Sequence, residues 1–154
     1  MTVFGLPLHV LMVHAVVVLV PLVAVGGLAV SLLRWARVRY GSLVLVGAFG
    51  AAVSTYIAQE AGEDFQRNPS FAEPTPEMEQ HFALGGTLLI WVVLLLVGIA
   101  AVVLAQWLIN RDNPRGKLVL LVGAVVTVVC AVVSVVQVVR IGHSGAVAVW
   151  GQMS

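Results

Sequence analysis

Four long runs of apolar residues, separated by shorter polar stretches, dominate the chain. They cover about residues 7–33, 41–58, 82–109 and 117–139. An apolar run of roughly 18 or more residues is long enough to cross a bilayer as a helix. The pattern therefore predicts four membrane-spanning helices, which together account for most of the 154 residues.

The connections between these runs favour one architecture. The first and third are short, so consecutive helices become antiparallel neighbours, and an up-down four-transmembrane-helix bundle is the expected all-α fold. In addition, "GSLVLVGA" at 41–48 resembles "GKLVLLVGA" at 116–124, and each begins a second helix after a basic stretch. In a chain this rich in Val and Leu, the likeness has two explanations: coincidence, or two parallel helical-hairpin repeats in which His14 would correspond to His81.

Basic residues indicate how the helices are oriented. Six of the eight lie in the first and third connections, and they are Arg34, Arg37, Arg39, Arg111, Arg115 and Lys117. Because loops rich in Lys and Arg stay in the cytoplasm, we predict a multi-pass plasma-membrane protein with both termini extracytoplasmic. The loop 59–81 and the tail 140–154 then also lie outside. The glycine-rich tail is too short to span, and we expect it to fold back over the outer mouth of the bundle with Trp150 in the interface.

Composition supports a membrane protein and excludes some partners. The chain is 60% hydrophobic and only 10% charged, whereas soluble domains carry about 25% charged residues. The bilayer is therefore its predicted environment. A net charge of +1 gives no reason to expect nucleic acid as a partner.

The four histidines all fall on the predicted outer side. His14 lies about two turns into the first helix, roughly 10 Å below its start, and an ionisable residue at that depth usually faces the bundle interior and marks function. His9 precedes it by five residues, or about 140° around a helix, so His9 and His14 cannot both point at one central site. Gly85 and Gly86 follow His81 and leave room for a flat group or a close helix.

Two classes of cofactor suit these histidines. A b-type haem needs two neutral imidazoles on facing helices at similar depth, and His14 and His81 are the expected axial pair, with His9, Asp64 and His143 around them. A copper, zinc or iron ion would need three or four converging ligands. The candidate ligands for such an ion are His9, His14, His81, His143, Glu60 and Asp64. A third interpretation is a non-catalytic accessory subunit whose interfacial histidines simply bond to loop carboxylates.

Four features, "GLPLHVLMVH", "AGEDF", the isolated His81 and "RIGHSGAVAVWG", resemble a family of small four-helix bacterial membrane proteins of unknown function. The likeness covers nearly the whole chain. Members typically open with Leu-Pro-Leu-His-Pro, and Val10 replaces that last proline here, while Ala15 stands where an aromatic residue is common. Carried onto this sequence, the resemblance singles out Pro7, His9, His14, Gly62, Asp64, His81, Gly142, Gly145 and Gly151.

Relatives of this family occur fused to Rieske iron–sulfur or c-type cytochrome domains, which implies electron transfer. The resemblance therefore favours a membrane redox protein that binds haem b near its outer face. Its partner would be an extracytoplasmic redox protein or a component of a respiratory chain. Enzymatic activity and homo-oligomer formation are left open by the sequence.

Overall fold

The computed structural model describes residues 2–3, 6–67 and 76–150, which form four long helices and one very short pair of strands. The helices are α1 (Leu8–Leu32), α2 (Arg34–Gln66), α3 (Pro76–Ile109) and α4 (Gly116–Trp150). Strands β1 (Thr2–Val3) and β2 (Leu6–Pro7) pair antiparallel ahead of α1. Each helix is long and apolar enough to cross a membrane. The predicted all-α four-helix fold is confirmed.

The helices are arranged as a square bundle. Both α1 and α3 pack against α2 and α4, whereas α1 and α3 face each other diagonally and touch little. Val20, Leu95 and Ile99 are fully buried at the centre. Apolar side chains on the opposite helix faces are exposed. Such a bundle satisfies its backbone hydrogen bonds internally, so it is stable in lipid, where no water can do so.

The turn between α1 and α2 is tighter than the sequence predicts. Only Leu33 separates the two helices, so the basic stretch 34–40 is helical and α2 begins well before residue 41. The half-buried Arg37 donates from Nη1 to the carbonyl oxygens of Val30 (3.1 Å) and Ser31 (3.0 Å). Its Nε donates to Oε1 of Gln106 at 3.0 Å. Arg37 thus bonds carbonyls at the end of α1, which have no partner within their own helix, and also ties this end to α3. We call this end of the bundle, which carries the basic stretch 34–40, the basic end.

At the other end of the bundle the helices run past the predicted spans. Residues 59–66 and 76–81, expected in a loop, belong to α2 and α3, and residues 68–75 lie outside the described part. The predicted folding back of the tail is wrong for residues 140–150, which continue α4. A continued helix satisfies its backbone hydrogen bonds internally at the membrane surface. This gain outweighs the low helix propensity of its glycines, which costs about 1 kcal/mol for each glycine. Residues 151–154 lie outside the described part.

Candidate functional site

A cavity of about 450 Å³ opens at the end of the bundle opposite the basic end, and all four helices line it. We call this the histidine end, because His9 and His81 both line the cavity. Val16, Leu88 and Val138 provide apolar wall deeper in the bundle. Ligand pockets in proteins typically occupy about 300–1,000 Å³ and combine an apolar lining with a few polar groups. The cavity has the size and the lining of a small-molecule site.

His9, in the first turn of α1, is held by α2. Its Nδ1 lies 2.9 Å from the carbonyl oxygen of Ala58. Since a carbonyl oxygen only accepts, Nδ1 carries the hydrogen and donates, which leaves Nε2 of the neutral ring with a free lone pair. Gly62 lies against the ring, and a Cβ at that position would come within 3.1 Å of both Cε1 and Nδ1. A side chain at position 62 would therefore push the imidazole out of place.

His81, near the start of α3, is held by α4 in the same way. Its Nδ1 lies 3.1 Å from the carbonyl oxygen of Ile141 and 3.3 Å from Oγ of Ser144. Ser144 itself donates to the Ile141 carbonyl at 3.0 Å. A Cβ at Gly145 would lie 3.1 Å from Cε1 and 3.2 Å from Nδ1 of the ring. The second imidazole is likewise oriented by a backbone carbonyl and a glycine.

The two hairpins thus contribute matching half-sites. In each, a histidine on the first helix bonds a carbonyl on the second, and a glycine four residues beyond that carbonyl lies against the ring. The match has the hairpin-to-hairpin symmetry of the predicted repeat but not its register, because the sequence likeness pairs Gly41 with Gly116, which would place Ala58 on Val133 and not on Ile141. The predicted correspondence between His14 and His81 is wrong, because His9 occupies the equivalent position. Gly62 and Gly145 were the sequence signal for the correct correspondence.

The two imidazoles face each other across the bundle diagonal. Their ring centroids are 6.4 Å apart and their planes are perpendicular, at 88°. Nearby, Gly85, Gly86 and Gly142 also line the cavity, and a Cβ built on any of them meets no atom within 4 Å. The room expected beside Gly85 and Gly86 is present. These glycines leave open space between the two hairpins at the level of the histidines.

The other predicted site residues lie apart from this pair. His14 is exposed, does not line the cavity, and its Nδ1 lies 2.6 Å from the Val10 carbonyl of its own helix. Glu60 and Asp64 are exposed on α2, and the exposed His143 lines a smaller, separate groove. Among the side chains that the structure describes, no three His, Cys, Asp or Glu residues form a group that could hold a metal ion. Gly151 lies outside the described residues.

One wall of the cavity carries a polar row, of which the sequence analysis did not consider Gln59 and Arg67 as site residues. Gln59, Glu63 and Arg67 recur every four residues along α2, and all three line the cavity. Nη2 of Arg67 lies 3.0 Å from Oε2 of Glu63, and Nε2 of Gln59 lies 3.4 Å from Oε1 of Glu63. The four-residue spacing could have revealed the row, since such residues share one helix face. It makes this wall of the cavity polar.

Comparison with known proteins identifies the family. Neither the curated proteins nor the solved structures contain a match to the chain. A family model described as a predicted membrane protein, DUF2231, matches residues 5–153, which is almost the entire sequence. The resemblance to a membrane protein family of unknown function is therefore confirmed. The chain belongs to the DUF2231 family of predicted membrane proteins.

Proposed function

We propose that the protein is a membrane haem protein in which His9 and His81 would hold one b-type haem. The observation that carries this proposal is the pair of perpendicular imidazoles whose centroids are 6.4 Å apart. Each ring turns its Nδ1 to a carbonyl on the neighbouring helix, which leaves both Nε2 atoms free to hold a shared metal centre. His9 takes the role that the sequence analysis gave to His14.

The surroundings of the pair also suit a flat, largely apolar group. Gly85, Gly86 and Gly142 leave open space along the cavity wall, which a flat group would need. Val16, Leu88 and Val138 offer it an apolar wall. Haem sites in helical bundles are built from side chains that face inward from different helices in this way.

The residues of the chain have distinct tasks in this proposal. Hydrogen bonds from Nδ1 to the carbonyls of Ala58 and Ile141 fix both tautomers and orient both rings. The apolar wall limits the access of water. A bound haem would supply one-electron transfer. With both ligands at one end of the bundle, the site is placed to exchange electrons with a redox partner at that end.

The ion alternative from the sequence is less well supported. A copper, zinc or iron site needs at least a third protein ligand. Within the described ranges, the two imidazoles come together without a third His, Cys, Asp or Glu side chain. We therefore do not extend the proposal to a mononuclear ion.

The test is an optical spectrum of the protein purified from cells supplied with haem, before and after reduction. We expect a Soret band with the reduced bands of a bis-histidine haem. His9→Ala and His81→Ala should each remove or strongly shift it. His14→Ala is the matched control, because it removes an exposed imidazole from the same helix, and it should leave the spectrum unchanged.

Two further measurements separate loss of a ligand from loss of the fold. Circular dichroism should show the same helicity for all three variants. In His9→Gly, added imidazole should restore the Soret band by filling the vacated ligand position. A folded wild-type protein that takes up no haem during expression or on addition of hemin would refute the proposal. Loss of haem in His14→Ala together with retention in His9→Ala would refute the ligand assignment.

A further inference from the structure

We infer that a second site, on the surface of α3 and α4, binds the phosphate group of a membrane phospholipid. The site is a groove of about 230 Å³ at the histidine end, separate from the central cavity. About one turn of α3 and two turns of α4 form it. Its lining residues are Gln80, Leu84, Arg140, His143, Ser144 and Val147. This inference does not depend on whether the central cavity holds haem.

Charge is the first reason to assign a phosphate to this groove. Arg140 is exposed, and within the described residues no hydrogen bond or ion pair engages its guanidinium. His143 follows three residues later on the same helix face, and the Gln80 side chain offers amide donors from α3. A guanidinium presents a planar fork of donors that matches phosphate oxygens. The groove thus combines an unpaired cation with neutral or titratable donors.

Depth is the second reason, because it separates a lipid from a soluble anion. Between Gly116 at the basic end and Arg140, α4 rises about 36 Å at 1.5 Å per residue. The hydrocarbon core of a bilayer is about 30 Å thick. Arg140 is therefore placed in the headgroup layer, where lipid phosphates are concentrated. Leu84 lies one helical turn beyond Gln80 toward the membrane centre and can contact the attached acyl chain.

The groove also shares a residue with the central site. Ser144 lines the groove, and its Oγ lies 3.3 Å from Nδ1 of His81. A lipid bound to Arg140 and His143 would contact the same turn of α4 that orients His81. The lipid site would thereby brace the second half-site from outside the bundle.

The test uses the full-length protein in nanodiscs of phosphatidylglycerol, with native mass spectrometry counting the lipids that stay bound. We expect wild-type protein to retain one lipid that the double variant Arg140→Gln, His143→Gln holds about tenfold more weakly or worse, as expected for lost charged hydrogen bonds. Arg67→Gln is the matched control, because it removes another cation at the same end that is already paired with Glu63. It should retain the lipid as wild type does.

A second arm distinguishes the lipid from a free anion. Phosphatidylglycerol should raise the melting temperature of detergent-purified wild-type protein but not that of the double variant, whereas the same concentration of inorganic phosphate should have no effect on either. Equal retention by wild type and double variant would overturn the site. If Arg67→Gln lost the lipid as readily as the double variant does, the binding would be nonspecific charge attraction and the proposed site would be wrong. Equal stabilisation of both proteins by inorganic phosphate would overturn the assignment to a lipid.

Discussion

At the scale of single residues, two glycines determine where the imidazoles lie. Gly62 and Gly145 each leave just enough space for a histidine ring from the neighbouring helix, and the missing Cβ would approach ring atoms to 3.1 Å. That separation is shorter than an ordinary contact between carbon atoms, which is about 3.5–4.0 Å. The position of each ring therefore depends on the absence of a side chain as much as on its hydrogen bond.

Alanine at either position should disturb the adjacent histidine. We expect Gly62→Ala and Gly145→Ala to weaken haem retention and to shift the midpoint potential, since overpacking of this kind costs about 1–3 kcal/mol and displaces the ring. Gly50→Ala is the control, because its Cβ would meet no atom within 4 Å and the residue does not line the cavity. Redox titration followed by absorbance provides the measurement. Equal effects in all three variants would mean that the glycines matter only for helix propensity.

The sequence predicted that one histidine of α1 faces the centre of the bundle, but it favoured the one that the structure leaves outside the cavity. The 140° between His9 and His14 correctly required one of them to face away from the centre. Depth in the membrane then favoured His14, but the structure turns His14 outward and brings His9 inward. The choice depends on which ring finds an acceptor and a glycine on α2. Those partners lie about 50 residues away along the chain, so the pattern within α1 could not reveal them.

At the scale of helices, small residues set the distance between α3 and α4. A Cβ on Gly98 would lie 2.7 Å from Oγ1 and 2.9 Å from the backbone nitrogen of Thr127. A Cβ on Gly123 would lie 2.9 Å from Cβ of Ala101. Close backbone approach through small residues is a main source of helix association in membranes, where lipid competes equally for apolar surface.

Gly98→Ala should therefore separate these helices and destabilise the bundle. Backbone atoms of Thr127 would have to move. We therefore expect the free energy of unfolding to fall by about 1–3 kcal/mol, which is the usual cost of overpacking. Gly85→Ala, on the same helix but with open space around its Cβ, should be nearly neutral or slightly stabilising. Denaturant unfolding in detergent micelles, monitored by circular dichroism, compares the two. Similar unfolding midpoints would show that α3 can shift without cost.

Helix ends were less predictable than helix cores. The apolar runs located all four helices, because crossing hydrocarbon requires that length of apolar sequence. Beyond the hydrocarbon, polar contacts between helices decide where each one ends. Arg37 donates hydrogen bonds to the last carbonyls of α1. On α4, the Ile141 carbonyl and the Ser144 hydroxyl are the hydrogen-bond partners of His81. Such contacts join distant segments and leave no trace in local hydropathy, so the helical tail of α4 was not foreseen.

At the scale of the whole molecule, the two ends of the bundle are chemically different. The basic end carries Arg34, Arg37, Arg39, Arg111, Arg115 and Lys117. The histidine end carries both imidazoles, the cavity and the exposed carboxylates Glu60, Asp64 and Glu79. The orientation of the bundle in the membrane therefore decides which compartment the candidate site faces. If the proposed function holds, it also decides on which side of the membrane a redox partner would lie.

The positive-inside rule predicts that the basic end is cytoplasmic. In a Cys130→Ala background, Glu79→Cys and Asn113→Cys place single exposed thiols at the histidine end and the basic end respectively. A maleimide that cannot cross membranes should label intact cells only through the thiol at position 79. The thiol at position 113 should react after the membrane is permeabilised, which controls for its accessibility. The reverse pattern would turn the candidate haem site toward the cytoplasm, and its partner would then have to be a cytoplasmic electron carrier, because both proposed ligands lie at one end of the bundle.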